Sequence, residues 1–91
     1  MIEFEFDPQK SRSNQEKHGL DFEEAQKLWQ DEDRLLVPAK VKDEPRYALI
    51  AKYKEKIWSA FYTTRGEKIR LISVRKSRKE ERDLYESQRP R

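Results

Sequence analysis

The chain has 91 residues, of which 34% are hydrophobic and 43% are charged, and its formal net charge is +3. A chain of this length makes one domain with a modest core. Because it contains no cysteine, disulfides and thiolate zinc sites are excluded. We see no signal peptide and no stretch approaching the roughly 20 apolar residues of a membrane span, so we expect a cytoplasmic protein without a membrane partner.

The charge is distributed unevenly along the chain. Residues 1–64 carry 11 basic and 13 acidic side chains, whereas residues 65–91 carry 10 basic and 5 acidic ones. The net charge is therefore −2 for the first segment and +5 for the second. A basic segment favours a phosphate-bearing partner, although a solvated helix face would give the same pattern.

The first part of the sequence predicts a strand and two helices. Residues 2–6 alternate apolar and acidic side chains, which is typical of a short strand. Asp7 and Pro8 suit the cap and the first position of a helix that ends at Gly19. A second helix is predicted to begin at Asp21, a good N-cap, and to end before an acidic run.

The rest of the sequence is dominated by predicted strands. A brief strand at 35–37 precedes a charged loop. Three longer segments, at about 46–53, 56–63 and 68–75, are rich in β-branched and aromatic residues. The links between them are short enough for antiparallel hairpins.

A closing helix completes the predicted architecture. It is expected to open at Ser77, with Glu80 in a capping box, and to run to about Glu86. The predicted order is β-α-α-β-β-β-β-α, an α+β domain over residues 1–87 with a disordered tail at 88–91. We expect an antiparallel sheet with the helices packed mainly on one face, which leaves the other face open to a ligand.

The side chains that could do chemistry are mainly cationic. One histidine and no cysteine leave only carboxylates as metal ligands, and two glycines exclude a glycine-rich phosphate loop, so we predict neither a metal nor a cofactor. Lys17 and His18 end the first helix, where the helix dipole favours a charged imidazolium. Capping of the helix carbonyls is the more common role for such a histidine.

Arginines form a second group of candidates. Arg65 is predicted in the tight turn between two strands, and Arg70 and Arg75 lie in the following strand with Ser73 between them. In an ideal strand Ser73 and Arg75 share one face and Arg70 points to the other. Because an unpaired buried charge is costly, these arginines either pair with acids or form a cationic patch suited to phosphate.

Two groups of residues resemble the signatures of the BrnT toxin family. The first group is Phe4-Glu5-Phe6-Asp7-Pro8, Lys10, Asn14, Lys17-His18-Gly19 and Phe22-Glu23-Glu24-Ala25. The second group is Arg46, Phe61-Tyr62-Thr63-Thr64-Arg65 and Ile69-Arg70-Leu71-Ile72-Ser73-Val74-Arg75-Lys76, with Glu80 and Tyr85 in the closing helix. Phe6 stands where tryptophan is usual and Ser77 where alanine is common, and neither departure removes a charged position.

The resemblance implies a type II toxin with a RelE-like ribonuclease fold, which cleaves RNA and inhibits translation. It also implies neutralisation by a BrnA-type antitoxin with a ribbon-helix-helix region. Operator DNA would be bound only through the complex with that antitoxin, and a toxin dimer within the complex would be compatible with it.

Specific roles can be predicted for metal-independent cleavage. We expect Arg65 and Arg75 to bind the scissile phosphate, with Ser73 hydrogen-bonded to a phosphate oxygen. The candidate acid or base is His18 or Lys17. Further RNA contacts are predicted for Arg70, Arg46 and Lys76. The alternatives are a module that binds RNA or antitoxin without turnover, which a lone histidine favours, and, more weakly, a DNA-binding protein.

Overall fold

Five strands form one mixed sheet in the computed structural model, which describes residues 2–39 and 44–88. The strands are β1 (Glu3–Glu5), β2 (Leu35–Ala39), β3 (Arg46–Tyr53), β4 (Lys56–Arg65) and β5 (Lys68–Lys76). Their order across the sheet is β1-β5-β4-β3-β2. Neighbours from β2 to β5 are antiparallel, but β1 pairs with β5 in parallel. The prediction of an antiparallel sheet is therefore wrong at this edge, because the local pattern of β1 does not specify the direction of a distant partner.

Helical segments flank the four consecutive strands. Helices α1 (Pro8–His18) and α2 (Phe22–Ala25) follow β1, and a 3-10 helix (Gln26–Gln30) continues directly from α2. Helix α3 (Lys79–Ser87) follows β5. In the described ranges no helix has the length and hydropathy needed to cross a membrane.

The bounds of α1 are confirmed by its capping groups. The Asp7 carboxylate accepts a hydrogen bond from the backbone N–H of Gln9 at 2.9 Å, and Pro8 occupies the first helical position. Gly19 ends the helix in the left-handed region with φ +86°, and its N–H donates to the Gln15 carbonyl. These are the groups that the sequence predicts, because aspartate suits an N-cap and glycine suits a left-handed C-cap.

The start of α3 differs from the prediction by one residue. Arg78, not Ser77, is the N-cap residue, and its backbone N–H donates to the Glu81 carboxylate at 2.8 Å. The Ser77 hydroxyl is instead hydrogen-bonded to the Ser59 hydroxyl of β4 at 2.8 Å. Because this buried contact with the sheet engages Ser77, the helix begins after it, and Glu81 rather than Glu80 takes the third helical position.

The hydrophobic core lies between the sheet and the first helical segments. Buried side chains from these segments and from β3, β4 and β5 form one cluster: Leu20, Phe22, Ala25, Leu28, Leu49, Ala51, Trp58, Ala60, Tyr62, Leu71 and Val74. Helix α3 packs on the opposite face of the sheet, where Tyr85 is buried and its hydroxyl donates to Asp31 at 2.6 Å. Among residues 2–39 and 44–88, only α3 covers the face opposite the core, and it covers that face in part.

A β-bulge interrupts the ladder between β4 and β5. Phe61 lies opposite Ser73, whereas the next residue, Tyr62, lies opposite Leu71. Ile72 is thus an extra residue in β5, and the alternation of side chains is shifted by one position at this point.

The bulge decides which cations share a face. Leu71 and Val74 both lie in the core although they are three residues apart. Arg70, Ser73 and Arg75 consequently all lie on the opposite face. The prediction from ideal alternation, which placed Arg70 on the other face from Arg75, is therefore wrong.

Candidate functional site

The sheet face opposite the core carries a row of charged, polar and aromatic side chains, which we call the arginine face. Its members are Glu5, Arg46, Phe61, Thr63, Arg65, Arg70, Ser73 and Arg75. In the ladder, Thr63 lies opposite Arg70 and Phe61 opposite Ser73. At about 3.3 Å per residue, Arg70 and Arg75 lie roughly 13–16 Å apart along β5, so the row is longer than one phosphate group.

Glu5 lies between two arginines of this face. Its Oε2 is 3.0 Å from a terminal nitrogen of Arg70 and 3.9 Å from Nε of Arg65. The Arg65 side chain is 67% exposed, compared with 33% for Arg70 and 28% for Glu5. The cluster therefore has a net charge of about +1, and within the described part of the chain its most exposed cation is held only by a long ion pair.

Arg65 ends β4 and does not lie in the turn where it was predicted. Arg65 pairs with Lys68, and the two-residue turn between them is Gly66-Glu67. Gly66 has φ +59°, a positive value that glycine adopts without strain and that type II′ hairpin turns require at their first central position. The strand thus fixes the backbone of Arg65 and leaves its side chain in solvent.

Arg75 is held far more firmly than Arg65. Its two terminal nitrogens each donate to one oxygen of the Glu81 carboxylate at 2.8 Å, and its guanidinium lies 4.9 Å from the centre of the Phe61 ring. Glu81 also accepts hydrogen bonds from Ser59 and from the Arg78 backbone. The hydrogen bonds from Arg75, together with those from the Arg78 backbone and Ser59, lower the pKa of Glu81 to about 2. Burial alone would raise this pKa, and the hydrogen bonds outweigh it. Arg75 thereby fixes α3 to the sheet.

Two further predicted residues lie on the arginine face. Ser73 is half-buried opposite Phe61. Arg46 begins β3, and its Nε donates to Glu44 at 3.1 Å in an exposed ion pair. Both are placed where they could contact a ligand that extends along the sheet.

His18, Lys17 and Lys76 lie on the other side of the sheet. His18 ends α1, which packs against β5, and Lys17 precedes it at an exposed position. A cleft beside His18 is lined by the core residue Trp58 and by Lys76, which lies opposite Trp58 in the ladder. The structure therefore brings together the predicted arginines and Ser73, but it does not place His18 and Lys17 beside them.

The acidic partners of the arginines were not predicted from the sequence. Glu5 was read as part of an alternating strand and of the family signature but was given no role, and Glu81 was not considered. The alternation does place Glu5 on the face opposite Phe4, but the parallel pairing that brings it to Arg70 has no local signal.

Within the described residues, no group of three or more His, Cys, Asp or Glu side chains is arranged to hold a metal ion.

Comparison with protein families decides the identity of the chain. A family model described as the ribonuclease toxin BrnT of type II toxin–antitoxin systems matches residues 6–81. The chain belongs to the BrnT family. No match was found among curated proteins.

Membership of the BrnT family confirms the resemblance seen in the sequence. The family consists of ribonuclease toxins, whose systems pair each toxin with an antitoxin. The matched segment ends at Glu81 and contains the whole arginine face of this BrnT chain except Glu5, which lies immediately before it.

Proposed function

We propose that the protein is a metal-independent endoribonuclease that holds RNA on the arginine face, inhibits translation by cutting it, and is neutralised by a BrnA-type antitoxin. The cluster of Arg65, Glu5 and Arg70 on an accessible sheet face carries this proposal. The same proposal includes a RelE-like fold and a cytoplasmic location. It also includes an antitoxin with a ribbon-helix-helix region, operator binding only through the toxin–antitoxin complex, and a toxin dimer within that complex.

The arginine face would stabilise the transition state. Cleavage without a metal requires a base for the 2′-hydroxyl proton, stabilisation of a negatively charged phosphorane and a proton for the leaving 5′-oxygen. Arg65 suits the second task because its side chain is 67% exposed and its ion pair with Glu5 is long and involves Nε. Its terminal nitrogens can therefore turn to a phosphate in a bidentate contact.

Glu5 is the carboxylate that we assign as the base. It lies on the same face as Arg65, whereas the candidates expected from the sequence, His18 and Lys17, lie across the sheet. Arg70 donates to Glu5 at 3.0 Å and so fixes its orientation. Glu5 would take the proton of the 2′-hydroxyl while the 2′-oxygen attacks phosphorus. The bond from phosphorus to the 5′-oxygen then breaks, and the 5′-oxygen takes a proton from solvent. The product is a 2′,3′-cyclic phosphate.

The other predicted residues would extend the RNA contact. Ser73 can hydrogen-bond a phosphate oxygen, and Arg46 can contact the strand beyond β4. Arg75 would act indirectly, by holding α3 against the sheet, because Glu81 engages both of its terminal nitrogens and balances its charge.

The test compares Arg65→Ala and Glu5→Gln with Arg12→Ala, which removes an exposed arginine from α1. Loss of one transition-state contact should lower the cleavage rate by roughly 100- to 1000-fold. Arg65→Ala and Glu5→Gln are expected to show this loss, and Arg12→Ala to cut like the parent. The parent should cut equally well in EDTA and release 2′,3′-cyclic ends.

Two results would overturn the assignment. If Arg65→Ala cuts RNA like the parent, the arginine face is not the active site. If the parent binds RNA but leaves it uncut, the alternative of a non-catalytic RNA- or antitoxin-binding module holds, an outcome consistent with the separation of His18 from the arginines.

A further inference from the structure

The cleft beside His18 has the features of a second anion site, and we call it the rear cleft. It encloses about 240 Å³ at the end of the sheet, on the side that α1 covers. Its polar lining consists of His18, Glu24, Tyr53, Lys54, Lys56 and Lys76. We propose that the rear cleft binds the terminal phosphate monoester of a nucleotide or of a nucleic-acid strand.

The charge of the rear cleft matches such a group. Three lysines face one carboxylate, which gives a net charge of +2 with His18 neutral. A phosphate monoester carries about −1.5 to −2 at pH 7, whereas a diester in the middle of a strand carries a single negative charge. A terminal phosphate therefore neutralises the cleft more completely than an internal one.

The single carboxylate of the cleft is already engaged. Glu24 accepts a hydrogen bond from the Tyr53 hydroxyl at 2.6 Å and lies 3.3 Å from the Lys54 ammonium. The hydrogen bonds from Tyr53 and Lys54 lower the pKa of Glu24. Among the described residues, Lys56 and Lys76 form no ion pair within 4.0 Å, so their charges are available to a ligand.

The walls of the cleft are held in place by the core and by a tight turn. Trp58 is buried, and its indole N–H donates to the Tyr53 carbonyl at 3.3 Å. Lys54 and Glu55 form the turn between β3 and β4 with φ values of +51° and +66°. The carbonyl end of α1 also borders the cleft, and the Lys17 ammonium in its last turn offsets the partial negative charge there.

The experiment uses the histidine as its reporter. The sequence contains one histidine, so the imidazole of His18 gives a single, unambiguous set of NMR signals. Inorganic phosphate, adenosine monophosphate, and a DNA oligonucleotide with or without a 5′-phosphate are titrated at constant ionic strength and pH. DNA is used because it lacks the 2′-hydroxyl and is not cut by the proposed mechanism.

The phosphorylated ligands are expected to shift the His18 signals saturably. The unphosphorylated strand is expected to bind at least ten-fold more weakly than the 5′-phosphorylated strand. The double variant Lys56→Gln/Lys76→Gln should weaken binding at least ten-fold. The control Lys10→Gln/Lys52→Gln removes the same charge at exposed positions away from the cleft and should bind like the parent.

Equal affinity for the two strands, equal affinity of the two double variants, or an absence of saturable shifts would each overturn the proposal. Tighter binding of the phosphorylated strand than of adenosine monophosphate identifies a strand end as the ligand, and the reverse identifies a free nucleotide. Arg65→Ala should leave the response unchanged, so a failure of this site and a failure of the proposed ribonuclease site are observed separately.

Discussion

Arg65 and Arg75 lie on one face of the sheet but are held in different ways. Arg75 is 22% exposed, and both of its terminal nitrogens bind Glu81 at 2.8 Å, whereas Arg65 is 67% exposed and lies 3.9 Å from Glu5. Removing one partner of a partly buried pair leaves the other charge uncompensated, while an exposed pair contributes little. The sequence predicts that both bind the scissile phosphate, and the contacts of Arg75 lead to a different, structural expectation for that residue.

Arg75→Ala should lower the free energy of unfolding by about 2–3 kcal/mol, because the Glu81 carboxylate loses its bidentate partner. Arg65→Ala should lower it by less than about 0.5 kcal/mol. Urea unfolding of the two variants and the parent measures both values. Unfolding free energies that agree between Arg75→Ala and Arg65→Ala would contradict the anchoring role of Arg75.

The same ion pair predicts a loss of stability in acid. The pKa of Glu81 in the folded chain is about 2, below its ordinary value of 4.5. A lowered folded-state pKa contributes stability that is fully present above the ordinary pKa and is lost as the pH falls towards the folded one. We expect this loss to be about 1–2 kcal/mol, since solvent reaches 22–23% of both side chains and screens the pair.

Glu81→Gln provides the comparison for this prediction. The free energy of unfolding of the parent should fall more steeply than that of the variant between about pH 4.5 and pH 2. Urea unfolding at a series of pH values gives both curves. Parallel curves over this interval would show that Glu81 does not contribute to the acid dependence.

At the scale of elements, one side chain connects α1 to β5. The Asn14 amide donates to the carbonyls of Leu20 and Val74 at 2.7 and 2.8 Å and accepts from the Val74 N–H at 3.0 Å. Strand β1 ends at Glu5, so Asn14 takes the place of a neighbouring strand along this part of β5. Because Asn14 is buried, its removal would leave three backbone groups without a partner.

Asn14→Ala is therefore expected to lower the free energy of unfolding by about 3 kcal/mol and to speed hydrogen exchange at the Val74 amide. Gln15→Ala, at an exposed position of the same helix, is the control and should cost less than about 0.5 kcal/mol. Chemical denaturation and amide exchange measure the two effects. A Val74 amide that exchanges as slowly in Asn14→Ala as in the parent would rule out this connection.

Elements with local signals were predictable from the sequence, and those that depend on distant contacts were not. The caps of α1 and the hairpins of β3, β4 and β5 follow from neighbouring residues. The parallel partner of β1 and the bulge at Ile72 have no such signal, since no glycine or proline marks the bulge. The start of α3 was misplaced because Ser77 bonds to Ser59, 18 positions away.

The candidate site was predictable by residue type but not by partner. Arginines within an apolar run are unusual, and this feature identified Arg70 and Arg75. Their acidic partners, Glu5 and Glu81, depend on the pairing of β1 and on the packing of α3. Sequence reasoning could therefore name the cations of the arginine face without finding the carboxylates that hold them.

For the whole molecule, the arginine face predicts salt-dependent RNA binding. The logarithm of the affinity for a single strand falls with the logarithm of the salt concentration with a slope of about −0.7 per phosphate neutralised. Arg65→Ala should make this slope less steep by about 0.7, and Arg12→Ala should leave it unchanged. Fluorescence anisotropy with a 2′-O-methyl RNA, which is not cut by the proposed mechanism, measures the slope. A slope that does not respond to Arg65→Ala would exclude a phosphate contact by this residue.

The parallel pairing of β1 with β5 has a consequence for synthesis. Glu5 and Arg70 are 65 positions apart, and Asn14 and Val74 are 60 positions apart. A growing chain cannot bring Glu5 to Arg65 and Arg70 until the segment that contains β5 has left the ribosome. If the proposed ribonuclease stops translation, a molecule whose β5 has not yet emerged cannot cut the message on which it is being assembled.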